Sequence, residues 1–288
     1  MNTTKQARLC LILSMVNFGT LAPFVRNIAV SSGELALYRA ILAAILIGGF
    51  FLFTGQKMSI FSLGKELYLL LLSGVAMGFN WILLFEAYKY TTVAIATLSY
   101  YFAPVIVTLV SPLLFREKLT KKQLLCFVMS TLGLTLVIGI TDLGNGGNNA
   151  IGILFGLGAA ILYASVILVN KYIKGVTGIH RTFLQFLAAI AVLTPYVFFT
   201  GGTHLASLDT VGWICLLIVG LLHTGVTYCL YFTSLKELSG QEAAILSYID
   251  PLVAVVIGVV ILKEPMSLQQ LIGGLMILGF TLFNELDT

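Results

Sequence analysis

The chain reads as apolar stretches of about 20 residues, separated by short polar, charged or Gly-rich punctuation. A membrane-crossing helix needs about 20 mostly apolar residues at 1.5 Å of rise each. Cutting at the punctuation predicts an all-α integral membrane fold of ten transmembrane helices, at residues 7–25, 35–54, 66–88, 92–115, 122–141, 150–170, 181–200, 211–234, 242–262 and 267–284. The connections are too short to hold an extramembrane domain, so the activity is expected among the helices. The opening MNTTKQAR and the apolar run behind it look like a signal peptide, but no small-residue cleavage pattern follows, and the run is read as a membrane helix.

The stretch TDLGNGGNN at 141–149 is the most turn-rich of the chain and lies at its midpoint. Identities recur across it. Gly33 matches Gly178, and Leu42-Ala43-Ala44 matches Leu187-Ala188-Ala189, at an offset of 145. Gly78, Phe85, Lys89, Pro104, Glu117 and Gln123 match Gly225, Phe232, Lys236, Pro251, Glu264 and Gln270, at 147. A shared register of Gly, Pro, Lys, Glu and Gln argues for duplication. It divides the chain into a first repeat at 1–141, a connecting loop at 142–149 and a second repeat at 150–288.

Five spans per repeat would invert one copy relative to the other, and the charges agree. With the N-terminus in the cytoplasm, twelve Lys and Arg fall in inner segments, among them Lys57, Lys65, Arg116, Lys118, Lys121 and Lys122. Arg26, Lys89 and Lys263 fall in outer loops, and Arg39 falls inside a helix. That is a positive-inside bias, with both termini cytoplasmic.

Composition reinforces the class, since 59% of the 288 residues are apolar or aromatic and 10% are charged, with mean hydropathy +1.02. Soluble domains carry about 25% charged residues. A formal charge of +4 gives no indication of nucleic acid. Cys10, Cys126, Cys215 and Cys229 lie in apolar segments without Cys-x-x-Cys spacing and read as small packing residues. No cofactor motif, phosphate loop or metal-ligand spacing occurs in a fitting context, so no cofactor or metal is expected and an enzyme is not the reading.

Ionisable groups at membrane depth are functional candidates by default. Asp250, immediately before Pro251, and His223 lie near the centres of their segments, and could meet to take up a proton or hold a substrate ammonium. Arg39 and Glu86 lie at similar depth nearer the outer face and suggest an ion pair, structural or gating. Asn17, Asn80, Trp81, Tyr100, Tyr101, Tyr163, Gln185, Tyr228 and Tyr248 also fall well inside their segments, where they would wall a ligand cavity. The alternative for each is helix packing. Gly74 with Gly78, and Gly152 with Gly156, are small-xxx-small pairs expected at close helix crossings.

The stretches FEAYKYTTVAIATLSYYFAP with REKLTKKQ, and YFTSLKELSGQEAAILSYIDP with KEPMSLQQLIGG, resemble the EamA-domain branch of the drug/metabolite transporter superfamily in two copies. The resemblance implies a central cavity lined by the first four helices of each repeat, a plasma-membrane location, and export of amino acids or other small metabolites. Metabolite or vitamin import on the same fold is the nearest alternative, and a membrane-embedded enzyme or sensor a further one. Short four-helix relatives couple export to protons through a glutamate in their first helix. Here that region reads SMVNFGTLAP, without a carboxylate, so their coupling does not carry over. The partners expected are a small-molecule substrate, with protons as a candidate coupling ion, and the lipid bilayer. The internal duplication favours a monomer.

Overall fold

The computed structural model describes residues 3–55, 64, 66–115, 120–138, 148–176, 178–238 and 240–285. Residues 142–147 of the expected connecting loop, and Lys57, Lys65, Arg116, Glu117 and Lys118, lie outside the described residues. Among the described residues the chain is helical and contains no strand.

Helix occupies every stretch that the apolar pattern picks out, but several are interrupted. They are α1 (Thr3–Gly19) and α2 (Leu21–Arg26); α3 (Ser32–Thr54); α4 (Glu66–Tyr90); α5 (Val93–Tyr100) and α6 (Ala103–Phe115); and α7 (Lys121–Ile138). After residue 147 follow α8 (Asn148–Asn170), α9 (Gly178–Thr200), and α10 (Thr210–Leu217). A π-helical stretch, Ile218–Val226, leads from α10 into α11 (Thr227–Ser234). Next come α12 (Gly240–Ser247), α13 (Ile249–Val256) with a π-helical end at Ile257–Ile261, and α14 (Leu268–Glu285). Among the described residues seven continuous or nearly continuous rods are long and apolar enough to cross a membrane, while Ile249–Ile261 and Leu268–Asn284 are shorter apolar helices.

Caps set several boundaries that hydropathy alone left a few residues off. Ser31 accepts from Glu34 N–H while the Glu34 carboxylate accepts from Ser31 N–H, so α3 starts three residues before its expected position. At its far end Gly55 adopts φ 64°, a left-handed cap that favours glycine. Thr120 with Gln123, and Ser267 with Gln270, form the same reciprocal box at the starts of α7 and α14. The recurrence of Gln at an offset of 147 therefore has a local cause: each copy caps a helix.

The main core lies where α3, α4, α8 and α9 meet, around Phe85, Ile47, Phe186 and Leu193. The small-xxx-small pairs sit at close crossings. Gly74 abuts the Gln185 backbone and Ala188, and Gly152 abuts Thr91. Away from this core, α7 packs on α14, and a Cβ on Gly133 would lie 2.7 Å from the Gly273 carbonyl. Phe53, Phe199, Leu52 and Leu113 are all more than 80% exposed on the outside of the bundle. An apolar exterior of that kind needs lipid as its solvent.

The four cysteines carry no disulfide, and Cys126 and Cys215 are buried as packing residues.

Candidate functional site

The helix interruptions converge. A chain with Pro23, Pro104 and Pro251 lacks an N–H at each, which removes one hydrogen bond from the ladder and frees a carbonyl one turn earlier. The helices break just ahead of these prolines, at Thr20, at Tyr101–Phe102 and at Tyr248. Gly19, the last residue of α1, touches the Asp250 carbonyl and Val253, since a Cβ there would lie 2.6 Å from either. Tyr101, closing α5, donates its hydroxyl to Asp250 Oδ2 at 2.5 Å, in the first turn of α13. Three discontinuities from three rods thus meet at one residue, Asp250.

A fourth joins them from the π-helical stretch. Its wider turn opens i→i−5 positions, and side chains fill them: Thr224 Oγ1 donates to Val219 O at 2.8 Å and Thr227 Oγ1 to Leu222 O at 2.8 Å. π-helical turns of this type occur frequently at functional sites. Asn17 donates to the Thr227 hydroxyl, and His223 Nε2 lies 3.1 Å from Thr20 Oγ1 beside the Phe24 ring. The segments 14–20 and 218–227 are thereby laced together by polar contacts.

His223 and Asp250 do not bond to one another. His223 is 1% exposed and turned toward Thr20, and Asp250 is taken by Tyr101. The Arg39–Glu86 pair is also not formed. Glu86 binds Lys89 one turn along its own helix at 3.0 Å. Arg39, 3% exposed, donates from Nε to Thr224 Oγ1 at 3.1 Å and lies 4.5 Å from the Trp81 ring centre and 5.4 Å from that of Phe85. Glu86 follows Phe85 by one residue, about 100° around the helix, and so faces away from the guanidinium.

The expected aromatic residues divide into two sets. Tyr100, Tyr101, Tyr228 and Asp250 are part-exposed despite their central position, and Tyr163 is 39% exposed. Tyr100 packs on Tyr101 and Tyr163, at ring separations of 5.9 and 5.3 Å, and Tyr228 stands against Phe18 and Phe186. Tyr100, Tyr163 and Tyr228 all lie within charge range of Asp250. Tyr248 lies at the α12–α13 break and packs toward the second core cluster. By contrast, Asn80 is 2% exposed and donates to Ala159 O at 2.6 Å, a bond that fastens α4 to α8. Trp81 is 5% exposed and packed edge-on against Phe186. Gln185, 1% exposed, donates to Ser73 at 2.7 Å and Asn170 at 2.9 Å. These three are packing residues before they are cavity walls. Thr20, Tyr88 and Thr224 are additions that hydropathy does not single out.

The two ends of the bundle are each tied by an ion pair. At one end Arg8 of α1 binds Glu242 of α12. At the other, Arg26 of α2 binds Glu264, and its Nη2 also donates to Tyr88 O and Thr91 O at 3.1 Å. Glu264 in turn accepts from Val93 N–H at 2.8 Å, capping α5. Beside this second tie lies a cavity of about 440 Å³ bordered by Val25, Ser32, Leu35, Phe85 and Tyr88. Among the described residues no three His, Cys, Asp or Glu side chains converge to hold a metal ion.

An apolar bundle with helices broken around an acid at its centre has the architecture of a multi-pass membrane transporter. The sequence pattern of the EamA-like transporter family matches residues 6–139 and again 150–285, and the chain belongs to that family. It is 32% identical to the uncharacterized transporter YxxF of Bacillus subtilis, over 93% of this chain and 85% of that one. It is 30% identical to an uncharacterized transporter of Archaeoglobus fulgidus, over 93% and 92%, and 28% identical to the protein PecM of Dickeya dadantii, over 83% and 77%. A solved crystal structure shares the fold at TM-score 0.65 and 16% identity, covering 98% of this chain and 97% of that one. The protein is a multi-pass protein of the plasma membrane.

Proposed function

We propose that the chain is a secondary transporter that exports small polar metabolites, amino acids among them, by alternating access. Its ten spans form two inverted repeats, both termini are cytoplasmic, and the monomer is the working unit. The observation that carries this reading is the meeting of the three broken helices and the π-helical stretch around Asp250, midway between two ends that are each closed by an ion pair joining the two halves. Unwound backbone at membrane depth is tolerated only where protein or a water-filled cavity receives it, and in transporters such breaks mark the site. The two separate matches of the family pattern support the duplication. The inverted orientation is supported by charge: Lys5, Arg8, Lys121, Lys122, Lys171, Lys174, Arg181 and Lys236 gather at the Arg8 end, against Arg26, Lys89 and Lys263 at the other.

Asp250 is the coupling acid of this reading. Asp250→Asn preserves shape and hydrogen bonding but carries no exchangeable carboxyl proton. In vesicles bearing the purified protein the variant still exchanges labelled amino acids but loses accumulation driven by a pH gradient. If Asp250 instead holds a substrate ammonium, exchange falls as well, at every pH. Normal accumulation by the variant removes the residue from both roles, and absence of any protein-dependent flux removes the transporter reading. Orientation is tested by cysteines at exposed Ala206 and Lys121. The first reacts with an impermeant thiol reagent on intact cells, and the second reacts only after lysis. Labelling of Lys121→Cys from outside overturns the topology.

A further inference from the structure

We propose that Arg39 is the anion site of this transporter, and that its substrates are compounds bearing a free carboxylate. The inference rests on the reading of the chain as a small-molecule transporter and adds the residue and the chemical group that select the cargo.

Burying a guanidinium at membrane depth is costly unless anions or carbonyls meet it. Arg26 shows how the protein satisfies an arginine that ties helix ends to one another. Arg26 spends Nη1 on Glu264 and Nη2 on two main-chain carbonyls. Arg39 is more deeply buried, at 3% exposure, yet among the described residues its hydrogen bond is the single one from Nε to Thr224. The acids that stand nearest in depth are engaged elsewhere, Glu86 by Lys89 and Asp250 by Tyr101. Two terminal nitrogens with four N–H groups are left without a partner among the described residues.

The surroundings aim that unused edge. The Thr224 hydroxyl donates its proton to Val219 O, so toward Arg39 it acts as acceptor and fixes Nε. Thr224 is therefore a positioning residue, placed by the π-helical turn. The Trp81 and Phe85 rings cover the guanidinium from α4, holding its plane and keeping lipid and water from that side. What remains is a planar fork of N–H donors, the geometry that accepts a carboxylate through two parallel bonds. Among the described residues Arg39 is the sole Lys or Arg well inside a membrane segment, which suits a monoanion better than a phosphate. Tyr88, Tyr100 and Tyr228 lie within charge range of both Arg39 and Asp250. These are the hydroxyl groups common to both charges, and in this proposal they serve the polar remainder of the cargo.

The test uses the full-length protein purified in detergent and a panel of L-amino acids and simple carboxylic acids, each beside its amide and its decarboxylated amine. Thermal unfolding reads binding, since a ligand that binds the folded state alone raises the Tm. Members with a free carboxylate stabilise the wild type, and their amides and amines do so at least tenfold more weakly. Arg39→Lys keeps the charge and the ring contact but loses the fork, and it weakens carboxylate binding by tenfold or more while its ligand-free Tm stays within a few degrees. Arg39→Gln abolishes the selectivity; where that variant fails to fold, the Lys variant still decides. The proposal is overturned by a panel in which no carboxylate stabilises the wild type, by amides or amines binding as well as acids, or by unchanged carboxylate affinity in Arg39→Lys. Counterflow in vesicles separates the two readings. Flux of amines indifferent to Arg39 leaves the transporter and removes this site, whereas carboxylate-selective stabilisation without flux keeps the site and removes the transporter.

Discussion

The two ends of the bundle are built from the same parts but held with different strength. Both use an arginine from the first rod and a glutamate from the segment that starts at α12, Arg8 with Glu242 and Arg26 with Glu264. The Arg8 pair is the more exposed, at 53% and 26%, and among the described residues the Arg8 guanidinium bonds to Glu242 alone. The Arg26 pair is at 33% and 10%, and it is part of a cluster with Tyr88 O, Thr91 O and the Val93 N–H. Exposed ion pairs contribute about 0–1 kcal/mol, because water and salt screen them and two long side chains lose freedom. Charge-assisted bonds in a shielded cluster contribute about 1.5–3 kcal/mol each. Under the proposed mechanism the Arg26 end is therefore the firmer closure, and the Arg8 end is the one that opens at less cost. Under the proposed orientation that end faces the cytoplasm, the side from which an exporter loads.

The largest effect is expected from Glu264→Ala, which removes the ion pair and leaves the Val93 N–H without its acceptor. Loss of about 2–3 kcal/mol from the closed state is a roughly 30- to 150-fold shift toward opening. A lone cysteine at Ser32, 2% exposed beside the 440 Å³ cavity, reads it as a faster reaction with a small thiol reagent. Glu264→Gln still accepts from Val93 and should shift the rate by about tenfold or less. Equal labelling in wild type and Glu264→Ala would show that this end is closed by packing alone.

The asymmetry was only half legible beforehand. Glu264 was visible as the partner of Glu117 in the duplication, but sequence gives no distance across 238 residues, so its bond to Arg26 was not. Helix positions were legible because lipid imposes one pattern on every span. Pro104 and Pro251 mark two of the breaks in the sequence, since a missing N–H acts locally. The π-helical stretch carried no such mark, and it turns His223 to Thr20 and Thr224 to Arg39. Arg39 and Glu86 do not pair because their azimuths differ: one residue past Phe85 is enough to give Glu86 to Lys89. Polarity at depth marks both ligand sites and interhelical hydrogen bonds, and for Asn80 and Gln185 only the partners tell the two apart.

Between the two ends, Tyr101→Phe tests the hinge that both must share. It removes the hydroxyl that links the α5–α6 break to Asp250 and little else. Interhelical hydrogen bonds in membranes average about 0.6 kcal/mol, and bonds to a carboxylate run higher, so a loss of about 1 kcal/mol is expected. It appears as a Tm lower by a few degrees, and as comparable gains in cysteine labelling at both ends. A gain confined to the Ser32 side would instead assign this bond to the Arg26 closure.

The smallest effect is expected at the Arg8 end. Arg8→Ala removes one exposed pair, so the shift should stay below about 1 kcal/mol, less than about fivefold in the reaction of a lone cysteine at half-buried Leu238. Because the Debye length falls from about 10 Å at 0.1 M salt to about 3 Å at 1 M, the wild type at high salt should react like the variant. The Glu264 variant should keep its difference from wild type at both salt concentrations, since its pair is shielded. A 30-fold rise at Leu238 on losing Arg8, or a Glu264 effect that vanishes in salt, would reverse the ranking. The resting protein would then open first at the Arg26 end, the outer side under the proposed topology, and loading from outside, as an importer does, would become the better reading.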